Sequence, residues 1–196
     1  MHDAMMGLSG GVDSVYVLYK WLSDNPTKRL LVHHCRLSNR FGRQPLETFG
    51  ARNAVDWCRA QGLDNFDYIE TGIDVGDLTS LPYDEFLLTV LNGVILRDAR
   101  YRNIPVLLMP TPKDEYERLG GRLTKRRAKS RRIRSEFVTT NIRTEYPIEH
   151  MTKAEVLAAC PPDLRALSWS CRAPQPDGKR CHACHTCRQI DAAQQK

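Results

Sequence analysis

The chain has 196 residues, 41% of them apolar and 27% charged, an ordinary balance for a globular fold with a full core. No apolar run approaches the ~20 residues that a membrane span needs, and the start lacks the basic-then-apolar pattern of a secretory leader, so a cytoplasmic protein is expected. The net charge of +6 comes from one segment: seven Lys and Arg fall between Thr124 and Arg134 without an acid, and the remainder holds 22 basic against 23 acidic residues, which excludes overall charge as an argument for nucleic-acid binding.

A short apolar lead, Ala4-Met5-Met6-Gly7-Leu8, runs into Ser9-Gly10-Gly11-Val12-Asp13-Ser14 and then into Val15-Tyr16-Val17-Leu18-Tyr19. The pattern predicts a strand, a tight turn, and a helix that starts between Val12 and Ser14. That helix should end near Ser23, where Asp24-Asn25-Pro26 stops it. Such a turn suits a phosphate chain. Glycine lets backbone N–H groups approach anionic oxygens with no Cβ in the way. The first N–H groups of a helix lack internal partners, and the helix dipole favours an anion there. Ser9 and Ser14 add hydroxyl donors. Asp13 repels phosphate by itself, and makes sense as a holder of Mg²⁺ or of the loop. The lysine of a Walker loop and the third glycine of a dinucleotide fingerprint are missing.

Next come a strand over Arg29–Cys35, a loop over Leu37–Pro45, and a helix over Leu46–Gln61, with Phe49, Ala54, Val55, Trp57 and Cys58 near helical spacing. His33 and His34 fit a strand core or strand end better than a nucleotide contact. Phe66–Glu70 reads as the third strand, Thr71–Pro82 as loop, Phe86–Tyr101 as an apolar helix, and Ile104–Met109 as the fourth strand. Near-continuous apolar strands alternating with helices indicate an α/β fold built on a doubly wound parallel sheet. The ligand then lies at the carboxyl ends of the strands, beside the loop, Arg36–Arg40 and Pro110–Asp114.

Pro110–Tyr116 leads into a basic insert at about 111–135. The run at 125–134 reads as a solvated helix face, a lid over phosphates or an RNA contact. Strand character returns over Thr139–Pro147. Thr152 and Glu155 then form a capping box, so Thr152 starts a helix. Lys153 falls in its first turn, where a cation is misplaced unless an anion is near.

The pattern Cys171-x9-Cys181-x2-Cys184-x2-Cys187 is the second strong signal. Four thiolates meet the tetrahedral preference of Zn²⁺, and a closed shell of this kind is structural. His182 and His185 flank it. An iron–sulfur cluster is the alternative, although the fourth cysteine of the ferredoxin run is replaced by Asp191. Residues 1–160 are expected to form the nucleotide-binding α/β unit and 161–196 a small metal-binding element.

All six positions of Ser9-Gly10-Gly11-Val12-Asp13-Ser14 match the signature of the PP-loop ATP pyrophosphatases. The resemblance implies an adenine nucleotide alpha-hydrolase-like, Rossmann-like fold that cleaves ATP between the α- and β-phosphates. It implies nucleotide binding by Leu8, Ser9, Gly10, Gly11, Val12, Asp13 and Ser14, with Mg²⁺. Lys153-Ala154-Glu155 is similar to the late Lys-x-Glu of these enzymes, whose lysine reaches the phosphates. Asp13 and Lys153 are the implied catalytic residues. With the cysteines and Arg188 added, the chain resembles the 7-cyano-7-deazaguanine synthases. That resemblance implies a ligase of queuosine biosynthesis. The carboxylate of 7-carboxy-7-deazaguanine is adenylated, ammonia displaces AMP, and a second ATP converts the amide to a nitrile. A homodimer follows only by analogy.

The chain departs from that family in two places. The Gly-Arg-Asn element is absent before Phe86, and Met109–Asp114 differs from the usual Gly-Val-x-x-x-Asp. Both regions help to form the base pockets, so an amide-forming deazaguanine paralogue stays open. A PP-loop tRNA-modifying thiolase also stays open, favoured by the basic segment. No cysteine outside the cluster lies in a clear catalytic context. A non-catalytic binding module is disfavoured by the intact loop.

Overall fold

A computed structural model of the chain describes residues 1–39, 42–76, 84–138 and 141–194. Five strands, β1 (Ala4–Gly7), β2 (Leu30–Ser38), β3 (Phe66–Asp74), β4 (Val106–Leu108) and β5 (Arg143–Glu145), form one sheet in the order β3-β2-β1-β4-β5. Every pairing is parallel. The helices are α1 (Val12–Asp24), α2 (Gln44–Ala60), α3 (Asp84–Arg97), α4 (Lys113–Leu119), α5 (Gly121–Ser135), α6 (Lys153–Ala159), α7 (Pro162–Ala166) and α8 (His185–Gln194). The doubly wound parallel sheet expected from the alternation is the one found. Winding runs outward from β1 to β3 on one side and from β4 to β5 on the other. The crevice of such a sheet opens at the carboxyl end of β1, between β1 and β4.

Strand alternation divides the core. Met6, Leu30, Val32 and Leu108 face one layer, with Val15, Leu18 and Leu22 of α1, Ala54, Val55 and Cys58 of α2, and Val156, Leu164 and Ile190 from the last three helices. Met5, Leu31 and Leu107 face the other, with Ile95 and Leu96 of α3, Ile104 and Ile142. Burying each such side chain contributes roughly 1.5–3 kcal/mol. The buried Leu164 and Ile190 bind the C-terminal stretch into the first layer.

Several boundaries differ from the sequence expectation. β2 and β3 run on to Ser38 and Asp74, paired residue by residue. Here one backbone satisfies the other, so polar Arg36 and Asp74 do not end the ladder. The expected loops therefore begin later, and their residues 40–41 and 77–82 lie outside the described residues, as do 139–140 of the expected Thr139–Pro147 strand. Phe49 is 63% exposed. The buried stripe of α2 is Thr48, Ala51, Val55 and Cys58, and Phe49 sits one step around the helix from it. α8 has no counterpart in the sequence reading, because few of its residues are apolar.

Candidate nucleotide site and cysteine centre

The turn after β1 leaves little freedom at its first glycine. Gly10 has φ +80, and a Cβ there would stand 2.2 Å from the Glu47 carbonyl oxygen. Both the backbone region and the space demand glycine. Gly50 of α2 packs equally closely, its Cβ position lying 2.9 Å from the Gly10 carbonyl oxygen. Gly11 is different, with nothing nearer than 3.4 Å.

Hydroxyl protons hold the loop in shape. Ser14 Oγ donates to the Gly11 carbonyl at 2.9 Å and accepts from Ser9 N at 3.1 Å. Its one proton is thereby used, so in the 3.0 Å contact between the two hydroxyls Ser9 donates to Ser14. Ser9 Oγ in turn accepts from Gly11 N at 3.3 Å. The two serines expected to serve phosphate bond to each other and to the loop in this structure.

Two residues that sequence reasoning missed close the turn. Ser170 Oγ accepts from Val12 N, the first helical N–H of α1, at 3.0 Å, and Trp169 N donates to the Gly10 carbonyl at 2.8 Å. Helix α1 has no cap from its own sequence, and a hydroxyl from 158 residues away supplies one. Only the adjacency of Ser170 to Cys171 could have hinted at this.

Asp13 and Lys153 meet beside the loop. Lys153, 5% exposed, donates from Nζ to Asp13 Oδ2. The other carboxylate oxygen, Asp13 Oδ1, is buried without a hydrogen-bond partner. The capping box forms as expected, Thr152 N bonding to Glu155 Oε2 at 2.7 Å and Glu155 N to Thr152 Oγ1 at 3.3 Å. It fixes the start of α6, and Asp114 Oδ2 accepts from Lys153 N at 2.6 Å. The donor set suits a hard cation. Mg²⁺ takes carboxylate oxygens alongside phosphates, and Asp13 Oδ1 is such an oxygen.

The strand β2 anchors this rim. His34 Nδ1 donates to the Leu8 carbonyl at 2.7 Å, and its Nε2 lies 2.9 Å from Thr48 Oγ1. His33 Nδ1 donates to Asn92 Oδ1 at 3.1 Å, and Nε2 accepts from Thr71 Oγ1 at 2.8 Å. Burial lowers both imidazoles, His33 to about 4. They are neutral core residues tying β2 to β1, β3, α2 and α3. A further cluster was not foreseen. Arg43 pairs with Asp84, and its Nε lies 3.4 Å from Glu47 Oε1. Burial raises the Glu47 carboxyl to about 6 against the pull of Arg43.

The basic segment is not a plain solvated face. Arg126 Nη2 and Ser130 Oγ both donate to Glu85, at 2.6 and 2.8 Å. Arg127 stacks over the Tyr146 ring at 3.4 Å, and buried Arg134 donates to Thr144 Oγ1 at 2.8 Å.

The ligand atoms of Cys171, Cys181, Cys184 and Cys187 all lie within 4.8 Å of one another. Cys184 N donates to Cys181 Sγ at 3.2 Å and Cys187 N to Cys184 Sγ at 3.5 Å. The N–H groups of Cys184 and Ala183 pull the Cys181 thiol down to about 6, toward the thiolate a metal needs. His182 Nδ1 pairs with Asp191 at 2.9 Å and so flanks the centre. Cys35, Cys58 and Cys160 are buried, and burial raises them to about 11, 12 and 11.

No family model matches the chain. It is 50% identical over 44 residues to a 7-cyano-7-deazaguanine synthase of Rhizorhabdus wittichii, covering 21% of this chain and 19% of that protein. It is 47% identical over 45 residues to 7-cyano-7-deazaguanine synthase 1 of Sphingopyxis alaskensis, covering 21% and 20%. The matches thus span about a fifth of these relatives. Among solved structures it is similar to the U34-tRNA thiolase NcsA from Methanococcus maripaludis with its [4Fe-4S] cluster. The TM-score is 0.59 at 16% identity, over 98% of this chain and 63% of that one, a likeness of fold. Its Ser-Gly-Gly-Val-Asp-Ser turn stands at the head of a 3-2-1-4-5 parallel sheet, and over a short stretch the chain is similar to the 7-cyano-7-deazaguanine synthases.

Proposed function

We propose that the protein is an ATP-dependent ligase. It adenylates the carboxylate of 7-carboxy-7-deazaguanine and replaces it with ammonia-derived nitrogen, giving the amide or the nitrile and releasing AMP and pyrophosphate. The observation that carries this reading is the meeting of Lys153 and Asp13 at the mouth of the Gly10-Gly11 turn. A carboxylate oxygen of the acceptor attacks the α-phosphorus, and the bond to the bridging oxygen of pyrophosphate breaks. Ammonia then attacks the acyl carbon, and AMP leaves with the carboxyl oxygen to give the amide. For the nitrile, the amide oxygen attacks the α-phosphorus of a second ATP, pyrophosphate leaves, and AMP departs with that oxygen as the nitrogen loses its two protons. Adenylation turns a poor leaving oxygen into a good one.

The chain's own task is to hold the triphosphate and absorb the charge that builds on pyrophosphate. Backbone N–H groups of the Gly10-Gly11 turn receive the phosphates, Gly11 N giving up its long bond to Ser9 Oγ, while Val12 N stays on Ser170. Lys153 exchanges Asp13 for a phosphate oxygen. Asp13 would hold Mg²⁺, and the ion would supply neutralisation of phosphate charge there.

Zinc is the metal we assign to the four cysteines. One tetrahedral ion with Zn–S bonds of about 2.3 Å brings thiolates within roughly 4 Å of each other. An iron–sulfur cube sets its thiolates on separate irons, and so farther apart. The close sulfur set favours the single ion. A thiolase reading has the fold likeness behind it, but the three remaining cysteines are buried with raised thiols.

Purified protein supplied with ATP, Mg²⁺, ammonia and 7-carboxy-7-deazaguanine is expected to release AMP and pyrophosphate and to form the amide or nitrile. ADP and phosphate as products would overturn the reading. AMP release that needs tRNA and ignores the deazapurine would select the thiolase. Elemental analysis is expected to find about one zinc per chain.

A further inference from the structure

We propose that the outward face of α5 docks a single strand of RNA through its phosphates. The proposal stands on the charge and packing of this helix, and does not depend on the acceptor named above.

The helix carries two kinds of cation. Arg126, Arg127 and Arg134 turn inward onto Glu85, Tyr146 and Thr144. Arg122, Lys125, Lys129, Arg131 and Arg132 are exposed, and of these Arg122, Lys125, Lys129 and Arg132 follow at spacings of three, four and three residues. Successive steps of three and four keep them on one flank of the helix. From Arg122 to Arg132 the row extends ~15 Å, enough to meet several consecutive phosphates. Arg122, Lys125 and Arg132 have no acidic partner among the described residues, and Lys129 leans over the Phe86 ring at 4.7 Å.

The packing narrows the partner. An interfacial membrane helix needs an apolar face. In α5 the large apolar residues are Leu123 and Ile133, the first buried and the second half-buried in the fold. Reading a DNA major groove requires a helix that can enter it. α5 lies along the body, with Glu85 of α3 on one side and Tyr146 on another, so only a ridge faces out. A ridge of cations with no base-reading Asn, Gln or aromatic residue in its row fits one phosphodiester strand, bound without sequence preference. Cellular single strands are chiefly RNA. On its inner side the helix reaches the segment that leads into Lys153, Arg127 lying 3.8 Å from Glu149.

The test is fluorescence anisotropy with a labelled 20-nucleotide oligouridine, across a salt series. Duplex DNA, phosphatidylserine vesicles and polyglutamate are run beside it. Wild-type protein is expected to bind the RNA with a log–log salt slope of about −3, as four phosphate contacts at ~0.7 each imply. The triple variant Arg122→Gln, Lys125→Gln, Arg132→Gln is expected to bind at least tenfold more weakly, with the slope reduced by about 2. Gln suits an exposed helix position, and an unchanged melting temperature confirms the fold. Each single substitution is expected to weaken binding in the same direction. No RNA binding at low salt, or unaltered binding by the triple variant, would overturn the proposal. So would equal or tighter binding of the duplex, the vesicles or the polyglutamate.

Discussion

Lys153 gives its ammonium to Asp13 across 140 residues of chain, joining the first turn of α6 to the first turn of α1. Each end of this pair needs the other, because Lys153 is buried and Asp13 retains an unpartnered oxygen. Lys153→Met is expected to lower ATP cleavage by about 10²–10³-fold, the scale of losing one group that stabilises developing charge. It also leaves the Asp13 charge unpaired, at a stability cost of about 3 kcal/mol. Asp13→Asn leaves the more deeply buried Lys153 ammonium without its carboxylate, and is expected to cost about as much stability and to lose the Mg²⁺ dependence of nucleotide binding. Pyrophosphate release and urea unfolding of both variants check this.

The two glycines of the turn are expected to respond differently to the same change. Gly10→Ala forces a Cβ into the Glu47 carbonyl at a positive φ, and should cost about 3 kcal/mol or prevent folding. Gly11→Ala meets only ordinary contacts, and should leave stability within about 1 kcal/mol while weakening ATP binding. Thermal melts and nucleotide titrations separate the two.

Much of this architecture is legible in the amino-acid order, because the signals are local. The Gly10-Gly11 turn, the Thr152 capping box and the alternation of apolar strands with helices each depend on a few neighbouring residues. What escapes is set by distant partners. Beyond the neighbouring Cys171, nothing near Ser170 hints that its hydroxyl caps α1. Nothing near Phe49 says that the helix turns it outward, since one step of 100° decides that. The ends of β2 and β3 are fixed by each other, and the inward cations of α5 by Glu85 and Tyr146. The roles proposed for Asp13 and Lys153 rest on family resemblance, and their proximity is a finding of the fold.

Chelation of the metal is expected to loosen the phosphate loop. Ser170 holds Val12 N and is bonded through the chain to Cys171, so the cysteine centre fixes where that hydroxyl stands. Metal removal, or Cys184→Ser, should speed amide exchange at residues 8–14 by about tenfold, the loss of one hydrogen bond of roughly 1.4 kcal/mol. Hydrogen exchange read by mass spectrometry reports this with no turnover required.

Acid is expected to weaken the fold through His33. Its folded value of about 4 lies below the ordinary 6.5, so the unfolded chain binds the extra proton between these values. Stability is therefore lost as pH falls from 6.5 toward 4, by about 2 kcal/mol between pH 7 and pH 5. Glu47, raised to about 6, works in the opposite sense between about 4.5 and 6. His33→Asn is expected to flatten the decline, and Glu47→Gln to steepen it, in urea unfolding followed at each pH.

The contacts of Gly10 with Trp169 and of Val12 with Ser170 bear on how the protein is made. The phosphate loop leaves the ribosome well before the residues that close it, Ser170 lying 158 residues after Val12. A nascent chain can pair β1 with β2 and lay α1 on the sheet, yet the nucleotide pocket stays open at one side until residue 170 has emerged. If ATP is the ligand, as proposed, it stabilises the finished protein by mass action and offers little help to the growing one.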